Sequence, residues 1–185
     1  MNFKTMRLLG TVAAGMIACS LFFAAPASAD APEVSEKTFH WVQSTARQNY
    51  YFNKRQMHFG IEDGKVDENV LIVPTLKTYD DVQIQDVVAK RRWNMESLDG
   101  YDALVGAAEY LRIDRAAGTV TIEEHDDLDD SWSTIHAVTE PTTITLADLS
   151  EKDVDGCFFR AILAYADKHA AKLRARTEAK IADGE

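Results

Sequence analysis

The sequence predicts an α+β fold: an antiparallel β-meander sheet of about five or six strands with a C-terminal helix packed on one face and a short helical insert. Two observations predict it. Segments rich in aromatic and β-branched residues alternate with short polar turns over most of residues 39–138. The end of the chain instead repeats apolar residues at helical spacing, from Phe158 to Leu173. A helix on one face of such a sheet gives a two-layer fold.

Residues 1–29 have the pattern of a secretory signal peptide. Lys4 and Arg7 precede an apolar run from Leu8 to Ala25, and Ala27 and Ala29 are the small residues that a signal peptidase reads. We therefore predict cleavage after Ala29 and export to the periplasm or the cell surface. No integral membrane span is expected in the chain that remains.

Lipidation at Cys19 is a rival interpretation of the N-terminus, and a retained membrane anchor is another. We favour plain cleavage over lipidation because Ser20–Phe23 would leave an apolar segment directly after the lipid. Cleavage also leaves Cys157 as the one cysteine of the exported chain, which excludes an intrachain disulfide. Its neighbours Phe158 and Phe159 predict a buried thiol.

The exported chain is acidic and has the length of a single domain. It keeps 18 basic and 30 acidic residues, a net charge of −12, which opposes binding to nucleic acid or to anionic lipid. We predict a flexible leader at residues 30–38, one α+β domain at residues 39–175 and a frayed tail at residues 176–185.

The first half of the domain predicts three strands. Phe39–Val42 is a short one, and Tyr50–Phe59 and Val70–Tyr79 form a hairpin around a turn at Gly60–Gly64. Pro74 has no N–H to donate, so it predicts an edge position or a bulge for the third strand. An exposed edge at Val70–Tyr79 would be a place where a partner strand adds.

Helical spacing returns at Val82–Trp93, with Trp93 expected in the core. The next segment is ambiguous, because its alanines and leucine favour a helix while alternation favours a strand from about Glu109 to Arg115. Further strands are predicted at Thr119–His125 and Trp132–Val138, on either side of a turn at Asp126–Asp130.

The final helix is predicted to begin at Asp155–Gly156. Its apolar side chains form one stripe that would cover a face of the sheet. Basic residues near its end suit the helix dipole. Residues after about Thr177 have little to bury, which is why a frayed tail is expected.

No strong catalytic motif, cofactor-binding loop or paired Cys-x-x-Cys is present, so no cofactor is predicted. The five histidines are scattered along the chain. An acid–base site would have to be assembled by the fold, for example from His40, His58 or His136 with a carboxylate.

The densest group of candidate ligands is the acidic stretch at residues 123–130. A hard cation such as calcium would use its oxygens, with the candidates Glu124, Asp126, Asp127, Asp129 and Asp130. The spacing lacks the glycine and the terminal glutamate of a calcium loop. A solvated hairpin tip that keeps neighbouring chains away is the alternative interpretation, and we favour it.

A second candidate is the basic run Lys90, Arg91 and Arg92 beside Trp93. In an acidic protein it would dock an acidic partner, a carboxylated polysaccharide or a phosphate. The alternative, which we favour, is the solvated face of a short helix.

The order of motifs over residues 39–170 resembles the surface-adhesin protein E family of small secreted bacterial proteins. The motifs are Trp41-Val42, Tyr50-Tyr51-Phe52, Lys77-Thr78-Tyr79-Asp80 and the strand from Tyr110 to Asp114, followed by an acidic hairpin and a C-terminal helix. The resemblance implies an antiparallel sheet packed with helix, export and, for some members, binding of host extracellular proteins. It implies no enzymatic activity.

These observations predict an exported, non-enzymatic binding protein of the cell envelope or extracellular space, with an envelope or extracellular protein as its partner. A small periplasmic enzyme that uses scattered His and Asp residues is the alternative. A calcium-binding envelope module is the third hypothesis.

Overall fold

A computed structural model of the chain describes residues 32–184, and the predicted signal peptide and Cys19 lie outside them. Within this part, eight strands form one antiparallel sheet: β1 (Phe39–Ser44), β2 (Gln48–Asn53), β3 (His58–Glu62), β4 (Lys65–Tyr79), β5 (Leu104–Asp114), β6 (Thr119–Asp129), β7 (Thr134–Val138) and β8 (Thr142–Thr145). The helices are α1 (Asp81–Trp93), α2 (Val154–Lys168) and α3 (Ala170–Asp183). The α+β prediction is confirmed.

The sheet follows the order β1-β2-β4-β5-β6-β7, with β3 paired to β4 beside β2 and β8 paired to β6 beside β7. Strands β4 to β7 follow one another as the predicted meander. The segment at 104–114 that was ambiguous in the sequence is all strand, since β5 pairs along its length with both β4 and β6.

The strand predicted at Tyr50–Phe59 is broken into β2 and β3. Strand β2 pairs with β4 from Thr75 onward and β3 pairs with it up to Ile72, so Pro74 lies opposite the break. The turn into β4 is tighter than predicted, because Asp63 and Gly64 occupy it alone with φ of 49° and 71°.

The edge position predicted for Val70–Tyr79 is wrong. Strand β4 lies in the middle of the sheet, between β2 and β3 on one side and β5 on the other. Its backbone therefore offers no free edge to a partner strand. The sheet accommodates Pro74 by interrupting the neighbouring strand, so the missing N–H has no ladder bond to make there.

Helices α2 and α3 pack on one face of the sheet, here called the covered face. Asp153 caps α2, two residues before the predicted start, and its side chain accepts the N–H groups of Asp155 and Gly156. The apolar stripe of α2 then meets alternate side chains of the strands in a core that contains Tyr50, Phe52, Met57, Phe59, Leu71, Val73, Leu111, Ile113, Val120, Phe158, Phe159, Ile162, Ala166 and Leu173. Cys157 is only half-buried, and its Sγ donates to the Glu151 carbonyl.

The frayed tail predicted from residue 176 is helical up to Asp183. Thr177 is fully buried, and its hydroxyl oxygen accepts the N–H of Phe59 at 3.0 Å. Arg176 donates to the carbonyl of Met57. These contacts attach α3 to β3, which gives the end of the chain a surface to pack against.

Helix α1 contacts the covered face at the other end of the sheet. Asp80 caps it by accepting the Gln83 N–H, as its position before the helix favours. None of its residues is buried, and Trp93 is 88% exposed, so the prediction of a core Trp93 is wrong. None of the helices within residues 32–184 is long and apolar enough to span a membrane.

The turn predicted at Asp126–Asp130 lies further along the chain. Strand β6 continues to Asp129, and the turn before β7 occupies residues 130–133. Asp126 and Asp127 are both buried within the sheet, 7% and 6% exposed, so they do not form a solvated tip.

Candidate functional site

The acidic stretch of β6 divides between the two faces of the sheet. A bulge at Glu123 sets the alternation, because Tyr110 pairs with Glu124 while Leu111 pairs with Ile122. His125 and Asp127 then lie on the covered face. Glu124 and Asp126 lie on the opposite face, here called the open face.

The five predicted cation ligands do not converge. Asp127 is separated from Glu124 and Asp126 by the sheet, Asp129 accepts hydrogen bonds within its own turn and Asp130 is exposed. In the part of the chain that the structure describes, no group of three or more His, Cys, Asp or Glu side chains is arranged to hold a metal ion.

On the covered face, a buried network of charges lies between the apolar core and α1. Lys77 donates to Glu109 Oε1 at 2.8 Å, and His125 Nδ1 lies 3.2 Å from the same oxygen. His125 Nε2 lies 3.4 Å from Asp127 Oδ1. The strands align these groups, because Lys77 pairs with Ala107 one position from Glu109, and Glu109 pairs directly with His125.

Asp127 connects this network to α1. The hydroxyl of Tyr101 donates to its Oδ2 at 2.5 Å, and Arg91 lies 4.0 Å from the same oxygen. The guanidinium of Arg91 also stacks on the Tyr101 ring, 4.3 Å from its centroid. Of the predicted docking run, Arg91 is therefore turned inward, while Lys90 and Arg92 are exposed.

The network shifts the pKa values of its members in the directions that its contacts require. Hydrogen bonds to Asp127 and Glu109 raise the pKa of His125 to about 9, although burial opposes this. Burial disfavours the charged form of Glu109, but hydrogen bonds from His125 and Lys77 outweigh it and lower the pKa to about 2. The pKa of Asp127 is lowered in the same way, by His125 and Tyr101 against burial.

The chemistry of this network is that of a clamp. A histidine whose two nitrogens both face carboxylates keeps its proton at neutral pH, so His125 is a poor proton acceptor there. His136 lies beside it in a cleft of about 530 Å³ between α1 and β7. His40, however, stacks between Phe52 and Tyr165, and His58 lies in β3. The histidines predicted as candidates for one site do not meet.

The open face carries a different feature, a pocket of about 460 Å³. It is formed where the sheet surface, residues 33–35 and the turn between β6 and β7 come together. Its apolar and aromatic lining comes from Val34, Phe39, Pro74, Leu76, Ala108, Tyr110, Leu128 and Trp132, and its polar lining from Glu33, Ser35, Asn53, Gln56, Thr75, Asp126 and Thr134.

The predicted leader contributes one side of this pocket. Pro32 and Val34 are half-buried, and Lys54 Nζ donates to the carbonyl of Glu36 at 2.5 Å. The N–H groups of Thr38 and Phe39 are bonded to Ser35 as the segment turns into β1. Residues 32–38 thus lie against the open face, where a flexible leader was expected.

Asp126 is the buried acid of the pocket. It pairs with Ala108, whose own partner on β4 is Leu76, so the carboxylate is set among small and apolar neighbours. Its Oδ2 accepts from the Thr134 hydroxyl at 3.3 Å. Its Oδ1 is buried and has no hydrogen-bond partner among the described residues. The charge on Asp126 also raises the pKa of Tyr110, after burial the largest cause.

Trp132 is presented to the pocket by a constrained turn. Its φ of 63° lies in the left-handed region, which is unfavourable for a bulky side chain. Asp129 holds this conformation by accepting the N–H groups of Ser131 and Ser133 at 2.9 Å each. Strain of this kind persists where surrounding contacts fix it.

Sequence reasoning missed this pocket. Pro74 was interpreted as an edge signal and Trp132 as a core residue. The one available signal was the proximity of Asp126 to Trp132 along the chain. Comparisons of the chain with protein-family models, curated proteins and solved structures found no match. The resemblance to the surface-adhesin protein E family therefore stays a prediction.

Proposed function

We propose that this chain is an exported, non-enzymatic binding protein of the cell envelope or extracellular space, which holds a small ligand in the open-face pocket. The pocket is the observation that carries the proposal. Its volume of about 460 Å³ falls in the range of small-molecule sites. Its lining is largely apolar and aromatic with a few polar groups, which is the composition typical of such sites.

The paired charges of the covered face support a binding role over a catalytic one. Each acid of that network has a cationic or hydroxyl partner within the protein. Such groups contribute to the stability of the fold and offer no poised base. The signal pattern at residues 1–29 and the family resemblance are the grounds for export. The resemblance also implies a protein partner, but a pocket of this size and lining favours a small molecule.

A fragment screen by saturation-transfer NMR tests the proposal. Ala108→Phe would fill the pocket from β5, so compounds that bind the parent protein should lose their signals in this variant. Ala116→Phe, in the exposed turn between β5 and β6, adds the same side chain away from the pocket and should keep them. Compounds that bind both folded variants equally would place the site elsewhere and contradict the proposal.

A further inference from the structure

The pocket holds an acidic group whose interactions are incomplete. Asp126 is 93% buried, and its single bond within the protein is the long one from Thr134 to Oδ2. Oδ1 has no partner among residues 32–184. A buried charge without a donor is unfavourable, so the fold retains an acceptor on the pocket wall that a bound molecule would satisfy.

The charge around Oδ1 has one sign. Glu33 and Asp126 both line the pocket, and no lysine, arginine or histidine of the described chain does. Glu124 lies on the same face, close enough to raise the pKa of Tyr110. The charge that complements this lining is positive, and an anionic ligand would be repelled.

The aromatic residues of the pocket suit a cation as well. Tyr110, Trp132 and Phe39 line it, and aromatic faces attract ammonium groups. They also offer apolar area to the body of a ligand. Because Ala108 is small and Pro74 has no N–H, the strands beneath add little that competes for Asp126.

We infer that the pocket binds a small organic cation, whose ammonium group donates to Asp126 Oδ1 while its apolar or aromatic body lies against Tyr110 and Trp132. The inference rests on the proposed function, because it names the ligand class of the same pocket. A small molecule is the occupant rather than a protein surface, given the volume of about 460 Å³.

Calorimetry with a matched pair of probes tests the inference. Tryptamine and tryptophol share an indole body and a two-carbon arm, but the first ends in an ammonium group and the second in a hydroxyl. A hydrogen bond to a buried charge corresponds to about 10- to 100-fold in affinity. The protein expressed from its full coding sequence should therefore bind tryptamine at least about 10-fold more tightly.

Two variants make the test specific. Asp126→Asn keeps the shape of the side chain and removes its charge, so the preference for tryptamine should disappear. Asp130→Asn makes the same chemical change at an exposed position outside the pocket and should leave the preference unchanged. Near-ultraviolet circular dichroism confirms that each variant is folded.

The failures are distinguishable. Equal binding of the two probes to the parent protein would overturn the cation inference and leave the pocket as a ligand site. A preference for tryptamine that survives in Asp126→Asn would also overturn it. If neither probe binds and the fragment screen finds no compound sensitive to Ala108→Phe, the proposed function itself fails.

Discussion

Asp126 and Asp127 are adjacent in β6, equally buried, and opposite in their surroundings. Asp127, on the covered face, meets Tyr101, His125 and Arg91. Asp126, on the open face, meets the hydroxyl of Thr134 alone and keeps one oxygen unpaired. The sheet places one residue in a completed network and its neighbour at the wall of a pocket.

The difference separates two uses of a buried acid. Where every donor is supplied by the fold, removing the acid leaves charged partners stranded, so the group is needed for stability. Where a donor is missing, removing the acid leaves little behind. Its presence is then better explained by something that binds. This contrast can be measured directly.

The largest effect is expected for Asp127→Ala. It strands His125 and Arg91 and removes the acceptor of the Tyr101 hydroxyl, and breaking a buried pair in this way costs about 3–5 kcal/mol. Urea unfolding followed by circular dichroism measures the loss. A change below about 1 kcal/mol would show that the network does not hold the fold and would erase the contrast.

Tyr101→Phe is expected to have the next largest effect. It deletes the hydroxyl donor to Asp127 and keeps the ring on which Arg91 stacks. A hydrogen bond to a charged group contributes about 1.5–3 kcal/mol, and the free energy of unfolding should fall by that amount. Combined with Asp127→Ala, the two losses should be less than additive, since both remove one contact.

The network should also give stability a defined pH dependence. The pKa of His125 is raised to about 9 in the folded protein from an ordinary value of 6.5, so its contribution is complete below about pH 6.5 and is lost as the pH rises towards 9. Glu109, with a pKa lowered to about 2, loses its contribution as the pH falls from 4.5 towards 2.

Urea midpoints measured between pH 6 and 9.5 check the alkaline part of this dependence. The slope for one proton is at most about 1.4 kcal/mol per pH unit. His125→Gln should be less stable at pH 6 and should lose most of this slope. A parent protein with a flat response over the same range would contradict the pKa assigned to His125.

The smallest effect is expected for Asp126→Ala. Because only the 3.3 Å bond from Thr134 is lost, stability should change by less than about 1 kcal/mol and may rise as an unpaired charge is removed. The same urea experiment compares it with Asp127→Ala. A loss as large as that of its neighbour would show that Asp126 has a structural partner and would end the distinction between the two.

Much of the fold could be predicted because local patterns and tertiary packing agree. The helix at 82–93 was predicted within one residue of α1, and the apolar stripe of α2 anticipated its packing on the sheet. The errors occurred where the two disagree. Four aspartates within five residues favour a turn locally, but pairing with β5 and β7 keeps Asp126 and Asp127 in a strand.

The site was beyond reach for a related reason. Which face Asp126 occupies depends on the bulge at Glu123, and one residue of shift would exchange it with Asp127. The break opposite Pro74 likewise depends on a long-range pairing that Pro74 does not reveal by itself. Sequence can list the acidic residues, but only the register decides which of them finds partners.

The interrupted strands have a consequence for how the chain avoids aggregation. Strand β4 is the longest, at 15 residues, and its apolar middle would add readily to other chains if it formed an edge. The fold places it inside the sheet, and Pro74 interrupts it while it is still unfolded. The outer strands β1, β7 and β8 have only 6, 5 and 4 residues, and β1 is also bulged between Trp41 and Gln43. Short, irregular borders of this kind keep sheets of neighbouring molecules from joining into fibrils.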